Sequence, residues 1–138
     1  MSDIRNKLIK AVKENRHITS SKWINLEDQP TIQLILETLA NPDKIKILNV
    51  TLDKPMSVIE ILDILEIPQT SGYRKIKSLI ENNLLIRSDS FLTSHGSATR
   101  KYVSVLEKIK INVDSVKLIV KVKFAKKLLD EFHNKDME

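Results

Sequence analysis

Residues 56–83, MSVIEILDILEIPQTSGYRKIKSLIENN, hold two helix signatures with almost no chain between them. Ser57-Val58-Ile59-Glu60 is a capping box, in which the serine hydroxyl and the glutamate carboxylate satisfy each other's amide donors, and Met56 with Ile61 supplies the accompanying hydrophobic staple. A helix over 58–66 then presents Ile61, Leu62 and Leu65 to a core. Ile67-Pro68 breaks it, and a second helix follows at once, ending near Asn82-Asn83. Two helices joined this tightly must cross at a steep angle.

At 100° per residue, the second helix gathers Ile76, Leu79 and Ile80 on one side and Thr70, Arg74, Lys77 and Ser78 on the other. One face packs and the other is left free. Gly72, one of only two glycines in the chain, falls on the packed side. It either permits close approach of the two helices or loosens the first turn after Pro68, at about 1 kcal/mol of helix propensity relative to alanine.

Upstream, apolar residues Ile32, Leu34, Ile35, Leu36 and Leu39 mark a buried helix beginning at Pro30 and ending at Asn41-Pro42. There a further helix starts, with Asn41 as N-cap, Pro42 in the first turn, Asp43 at the positive end of the dipole, and Ile45, Leu48 and Leu52 as its apolar stripe. Asp53-Lys54-Pro55 stops it. Earlier still, Ile4, Leu8, Ile9 and Val12 predict a short amphipathic helix over 3–14. A polar connector over 17–28 follows it, with Trp23 lying down on the domain.

Downstream, Leu84-Leu85-Ile86 and Tyr102-Val103-Ser104-Val105 are short, apolar and suited to strands. Between them SDSFLTSHGSAT is rich in turn formers and contains Gly96, which predicts a hairpin with a long exposed loop. Beyond Leu106, period-two alternation at Ile109, Ile111 and Val113, and again from Val116 to Phe124, predicts a second hairpin with a short helix over 124–133. A continuous helix from Asp114 is the rival, because Val116, Val120, Phe124, Leu128 and Phe132 are spaced by four. The fold class expected is mainly α with small antiparallel β (α+β). Its parts are a helical arm at 1–29, a central domain at 30–106 and an extension at 107–138.

With 138 residues, 41% of them hydrophobic, the chain has material for one core with appendages. The absence of cysteine rules out disulfides, thiolate zinc sites and a cysteine nucleophile, and His17, His95 and His133 are too dispersed in sequence to suggest a metal site. No cofactor is implied. The amino terminus lacks a signal-like apolar run and nothing approaches the roughly 20 apolar residues of a membrane span, so a soluble, cytoplasmic protein without a membrane partner is expected.

Net charge is +5 and unevenly spread. Residues 1–68 carry nine basic and ten acidic side chains, whereas 69–101 carry Arg74, Lys75, Lys77, Arg87, Arg100 and Lys101 against Glu81 and Asp89. Residues 102–127 add seven lysines against two acids. Such a distribution attracts a polyanion, or is simply a solvated basic surface.

LANPDKIKIL, residues 39–48, followed by residues 56–86, resembles the winged helix-turn-helix of ArsR-type transcription regulators, particularly archaeal ones, over roughly residues 30–106. The resemblance implies a recognition helix at 69–82 in the major groove and a wing at 87–101 along the backbone. It also implies a homodimer on double-stranded DNA, with 107–138 as the expected dimerisation extension. At the start of the recognition helix Gln69, Thr70, Ser71 and Arg74 match the family pattern in chemical type, while Pro68, Gly72 and Tyr73 depart from it.

The chemistry of these residues agrees. Arginine makes paired bonds to guanine edges, glutamine to adenine, and threonine and serine donate to phosphate or base, so the free face carrying Gln69, Thr70, Ser71, Arg74 and Lys77 is equipped to read DNA. Tyr73, at the flank, is positioned to stack on sugar or pack against the wing. In the wing, Arg87, His95, Ser97, Thr99, Arg100 and Lys101 offer the charges and donors that phosphates require.

ArsR-type metal sensors use cysteine-containing sites, and metal sensing by that route is excluded here; a small-molecule effector is not legible. The competing class is a winged-helix protein-interaction module within a transcription or chromatin assembly. An enzyme is not expected, since the chain has no phosphate loop, Gly-rich dinucleotide turn, HExxH or Gly-x-Ser-x-Gly.

Overall fold

Three side-chain caps set where the first helices begin. The computed structural model describes residues 4, 6, 7, 22–88 and 100–126. Strand β1 (Ile24–Leu26) leads into α1 (Gln29–Leu39), whose N-cap Asp28 accepts from the Thr31 amide at 3.0 Å and also from its hydroxyl. Burial works against the charged Asp28 carboxylate, but the bonds from Thr31 prevail and hold its pKa below the ordinary value.

Helix α2 (Pro42–Val50) opens on Asn41, which accepts from the Lys44 amide at 3.2 Å. Helix α3 (Val58–Leu65) opens on the capping box: Glu60 N donates to Ser57 Oγ at 3.2 Å and Ser57 N to Glu60 Oε1 at 3.1 Å. Glu66, with φ at 54°, ends α3 in a left-handed cap. Helix α4 (Gln69–Glu81) starts three residues later and stops at Asn82, before Asn83 at φ 61°.

The buried faces of these helices differ in detail from the apolar pattern. In α1 the inward residues are Thr31, Ile32, Ile35 and Thr38, whereas Leu36 is 37% exposed and Leu34 and Leu39 are half-buried. The threonines tolerate burial because their hydroxyls have partners, Thr38 donating to Leu34 O at 2.8 Å. In α2, Ile47 and Leu48 are buried and Ile45 only partly, since α2 packs against α1, α3 and α4 together; Leu52, expected on its stripe, lies just past its end and is half-buried. In α4, Ile76 and Leu79 are buried and Ile80 flanks them. Burying each such side chain stabilises by roughly 1.5–3 kcal/mol.

Two antiparallel sheets complete the fold. Strand β2 (Leu85–Arg87) pairs with β3 (Tyr102–Ser104), Arg87 lying opposite Tyr102 and Leu85 opposite Ser104. Strand β2 is displaced by one residue from the apolar run and β3 ends one residue short of it: Leu84 N–H is taken by Leu79 O at 2.9 Å, closing the end of α4, and Val105 forms the break after β3. Met56, just before α3, bridges Tyr102 through bonds of 3.0 and 2.8 Å. Ser88 N–H donates to Lys101 O at 2.9 Å, so the ladder runs one step past Arg87 toward the loop.

The second sheet has the order β1-β5-β4, with β4 (Leu106–Asp114) and β5 (Lys117–Phe124) forming a hairpin. The hairpin, not the continuous helix, is therefore the structure of 106–124. Its turn places Ser115 at φ 56°. The connector expected near Trp23 is strand β1, held by β5 with Leu26 opposite Val120 and Ile24 opposite Val122.

Phe124 closes β5 opposite Leu106, and Ala125 N–H donates to Val105 O at 2.9 Å, so no helix starts at 124. Lys126 is helical, and the rest of the helix expected over 124–133, from 127 on, lies outside the described residues. Of the helix expected over 3–14, Ile4, Asn6 and Lys7 are described and helical; Leu8, Ile9 and Val12 lie outside. Ile4, Leu26, Ile35, Ile47, Ile61, Ile76, Val103 and Phe124 share one core. The fold is α+β with small antiparallel sheets. No helix among the described residues is long and apolar enough to cross a membrane.

Candidate nucleic-acid interface

Helix α4 is fixed along one side and bare along the other. On the fixed side a Cβ at position 72 would collide with Leu62 Cδ2 and lie 2.9 Å from Ile67 Cγ2. Gly72 is thus required by the close approach of α3 and α4. Loosening of the first turn is not its role, because Gly72 N–H donates to Pro68 O at 2.8 Å and closes that turn.

Two polar clamps tie α4 to α2. Lys75 Nζ sits 2.5 Å from Asp43 Oδ2, and Lys44 Nζ donates to Ser78 Oγ at 3.0 Å. The Lys75 ammonium, through this hydrogen bond, holds the Asp43 carboxyl below its ordinary pKa. Ser78, expected on the free face, is therefore committed to the fold, also accepting from Asn82 Nδ2 at 3.5 Å. Neither clamp was legible, since their members are separated by more than 30 positions and nothing local marks them.

On the bare side Gln69, Thr70, Tyr73, Arg74 and Lys77 are all exposed, Tyr73 by 57%. Ser71 is half-buried and its hydroxyl donates to Pro68 O over a long 3.4 Å. Pro68 is the N-cap and supplies no side-chain cap, so the first-turn amides of α4 face outward without a protein side chain to receive them. Uncapped amides, a helix dipole, Arg74 and Lys77 together make this edge attractive to anions.

At the hairpin, Arg87 and Arg100 are exposed, whereas Lys101 is half-buried with its Nζ 3.6 Å from Glu60 Oε1. Glu60 therefore serves both the α3 cap and the hairpin. Its pKa is lowered, chiefly by the Ser57 amide, then by the Ser57 hydroxyl, with a smaller contribution from Lys101. His95, Ser97 and Thr99, expected as wing contacts, lie outside the described residues.

A second basic surface was not anticipated as a unit. Trp23, beside β1, is 41% exposed with Lys123 Nζ 4.9 Å and Lys110 Nζ 6.0 Å from its ring centroid. The lysines were visible as alternating positions of β4 and β5. Their meeting with Trp23 was not, because three-residue β1 has no readable period. Among the described residues no group of three or more His, Cys, Asp or Glu is placed to hold a metal ion. Compared with protein-family models, curated proteins and solved structures, the chain matches none.

Proposed function

We propose that this protein is a sequence-specific, double-stranded DNA-binding transcription regulator of the winged helix-turn-helix type, acting as a homodimer. The observation that carries the reading is the split of α4 into a side locked by Gly72, Ile76, Leu79 and the Lys75–Asp43 and Lys44–Ser78 clamps, and an exposed edge of Gln69, Thr70, Tyr73, Arg74 and Lys77. A rigid helix with arginine and glutamine on its open edge suits the major groove, where both read base edges bidentately.

The β2–β3 hairpin supports the reading as a wing, with Arg87 and Arg100 exposed at its base and Lys101 beside them. Element order agrees with the ArsR-type resemblance. Cytoplasmic location and recognition of a two-fold site follow from that resemblance. For the homodimer, the apolar side chains at the β4–β5 turn support the reading: Val113 is 69% exposed and opposes Leu118, and Val116 in the turn is fully exposed.

A protein-interaction module is the second reading, favoured by Ile59 and Ile64, which stand 68% and 60% exposed on α3. Selection of bound duplexes from a random pool separates the two. A regulator enriches one motif with two-fold symmetry, and an adaptor enriches none.

A further inference from the structure

The outer face of the β1-β5-β4 sheet carries a concentration of positive charge that no salt bridge among the described residues balances. Register puts Lys108 opposite Lys123 and Lys110 opposite Lys121, with Asn25 of β1 on the other side of Lys121. Inner positions Val120, Val122 and Phe124 are buried, so these lysines point away from the core. Two directly opposed like-charge pairs in adjacent rows destabilise a sheet. Among the described residues none of the four lysines is in a salt bridge, and no acid occupies a registered position between Lys108 and Asn112. Glu107 sits in the register shift, and Asp114 lies opposite Lys117 at the far end.

Trp23 stands at the edge of this face within reach of Lys110 and Lys123. We infer that the outer face of the β1-β5-β4 sheet is a second nucleic-acid site, taking a single strand whose phosphates lie along the lysines and whose unpaired base stacks on Trp23. The charge arrangement asks for a row of anions, and phosphates supply one. A sheet face offers no projecting element to enter a groove, and duplex bases hide their flat faces in the stack, whereas a single strand offers them to an aromatic ring. This surface is distinct from the α4 edge and does not depend on it.

Trp23 is the chain's single tryptophan, so its fluorescence reports this face alone. Full-length protein is titrated with a twelve-residue oligo(dT), a random-sequence duplex of the same length and poly-L-glutamate. The oligo(dT) is expected to quench Trp23, with a log–log salt slope of about −2 to −3, the value for three to four phosphate contacts on a single strand. The variant K108Q/K110Q/K121Q/K123Q should bind at least about tenfold more weakly at low salt. It should also melt at a higher temperature than the parent, because the opposed charges are gone.

Equal quenching by the duplex would overturn the single-strand assignment, and equal quenching by poly-L-glutamate the nucleic-acid assignment. No quenching by any of the three, or undiminished binding by the folded lysine variant, would overturn the site itself. Loss of specific duplex binding through α4 touches none of these outcomes, so the two readings fail separately.

Discussion

Gly72 of α4 rests directly against Leu62 of α3, leaving no room for a methyl group between the two helices. The contact sets how α4 is held, and so what its open edge can present. Alanine at 72 gains about 1 kcal/mol of helix propensity but overpacks a buried site, which typically costs about 1–3 kcal/mol. Ile67 is stiff at χ1 and cannot swing away. Gly72→Ala is therefore expected to lower stability by about 1 kcal/mol in urea denaturation. In a Leu62→Ala background, where Cδ2 is gone and only the Ile67 contact remains, the same substitution should cost clearly less. Equal losses in both backgrounds would remove the steric account.

The α3 capping box is a second stabilising feature. Ser57 is 7% exposed and bonds the Glu60 amide while its own amide donates to the Glu60 carboxylate. Ser57→Ala should cost about 1 kcal/mol, read from the urea midpoint, with Ser57→Asp recovering part of it.

Acid sensitivity follows from the carboxylates. Asp43 is lowered by the Lys75 hydrogen bond and Glu60 by the Ser57 amide. A carboxylate whose pKa is depressed on folding contributes stability above its unfolded pKa, about 3.9 for Asp and 4.3 for Glu, and that contribution is lost as pH falls through the folded value. Melting temperature should therefore decline below about pH 5, and Asp43→Asn should flatten the decline. An unchanged acid limb in that variant would show the Lys75 contact to be without thermodynamic weight.

Much of this arrangement was legible because its causes are local. The Asn41 and Ser57 caps, the Pro68 break, the buried Ile76 and Leu79 and the alternation of the β4–β5 hairpin all depend on residues a few positions apart. What escaped depends on distant partners. β1 exists because β5 holds it, Ile47 rather than Ile45 is buried because three helices surround α2, and Ser78 turns inward because Lys44 reaches it. The lysines of α4 looked alike in sequence, yet Lys75 is spent on Asp43 while Lys77 stays exposed.

Lysine and arginine substitutions should separate positioning from reading. Lys101→Ala should weaken specific and random duplexes alike and reduce the salt slope by about one, since a phosphate contact carries no sequence information. Lys101 also lies near Glu60, so Glu60→Gln, by freeing the ammonium, should raise affinity for random DNA. A fall in affinity for that variant would place Lys101 outside the interface.

The central claim is that the open edge of α4 reads base pairs. Its most direct test is the affinity of Arg74→Ala, relative to the parent chain, for a selected duplex and for random DNA at one salt concentration. A base-reading edge gives a loss of roughly 1–3 kcal/mol on the selected duplex and a smaller loss on random DNA, so that discrimination narrows. Equal losses on both, or no duplex binding by the parent chain even at low salt, would contradict it.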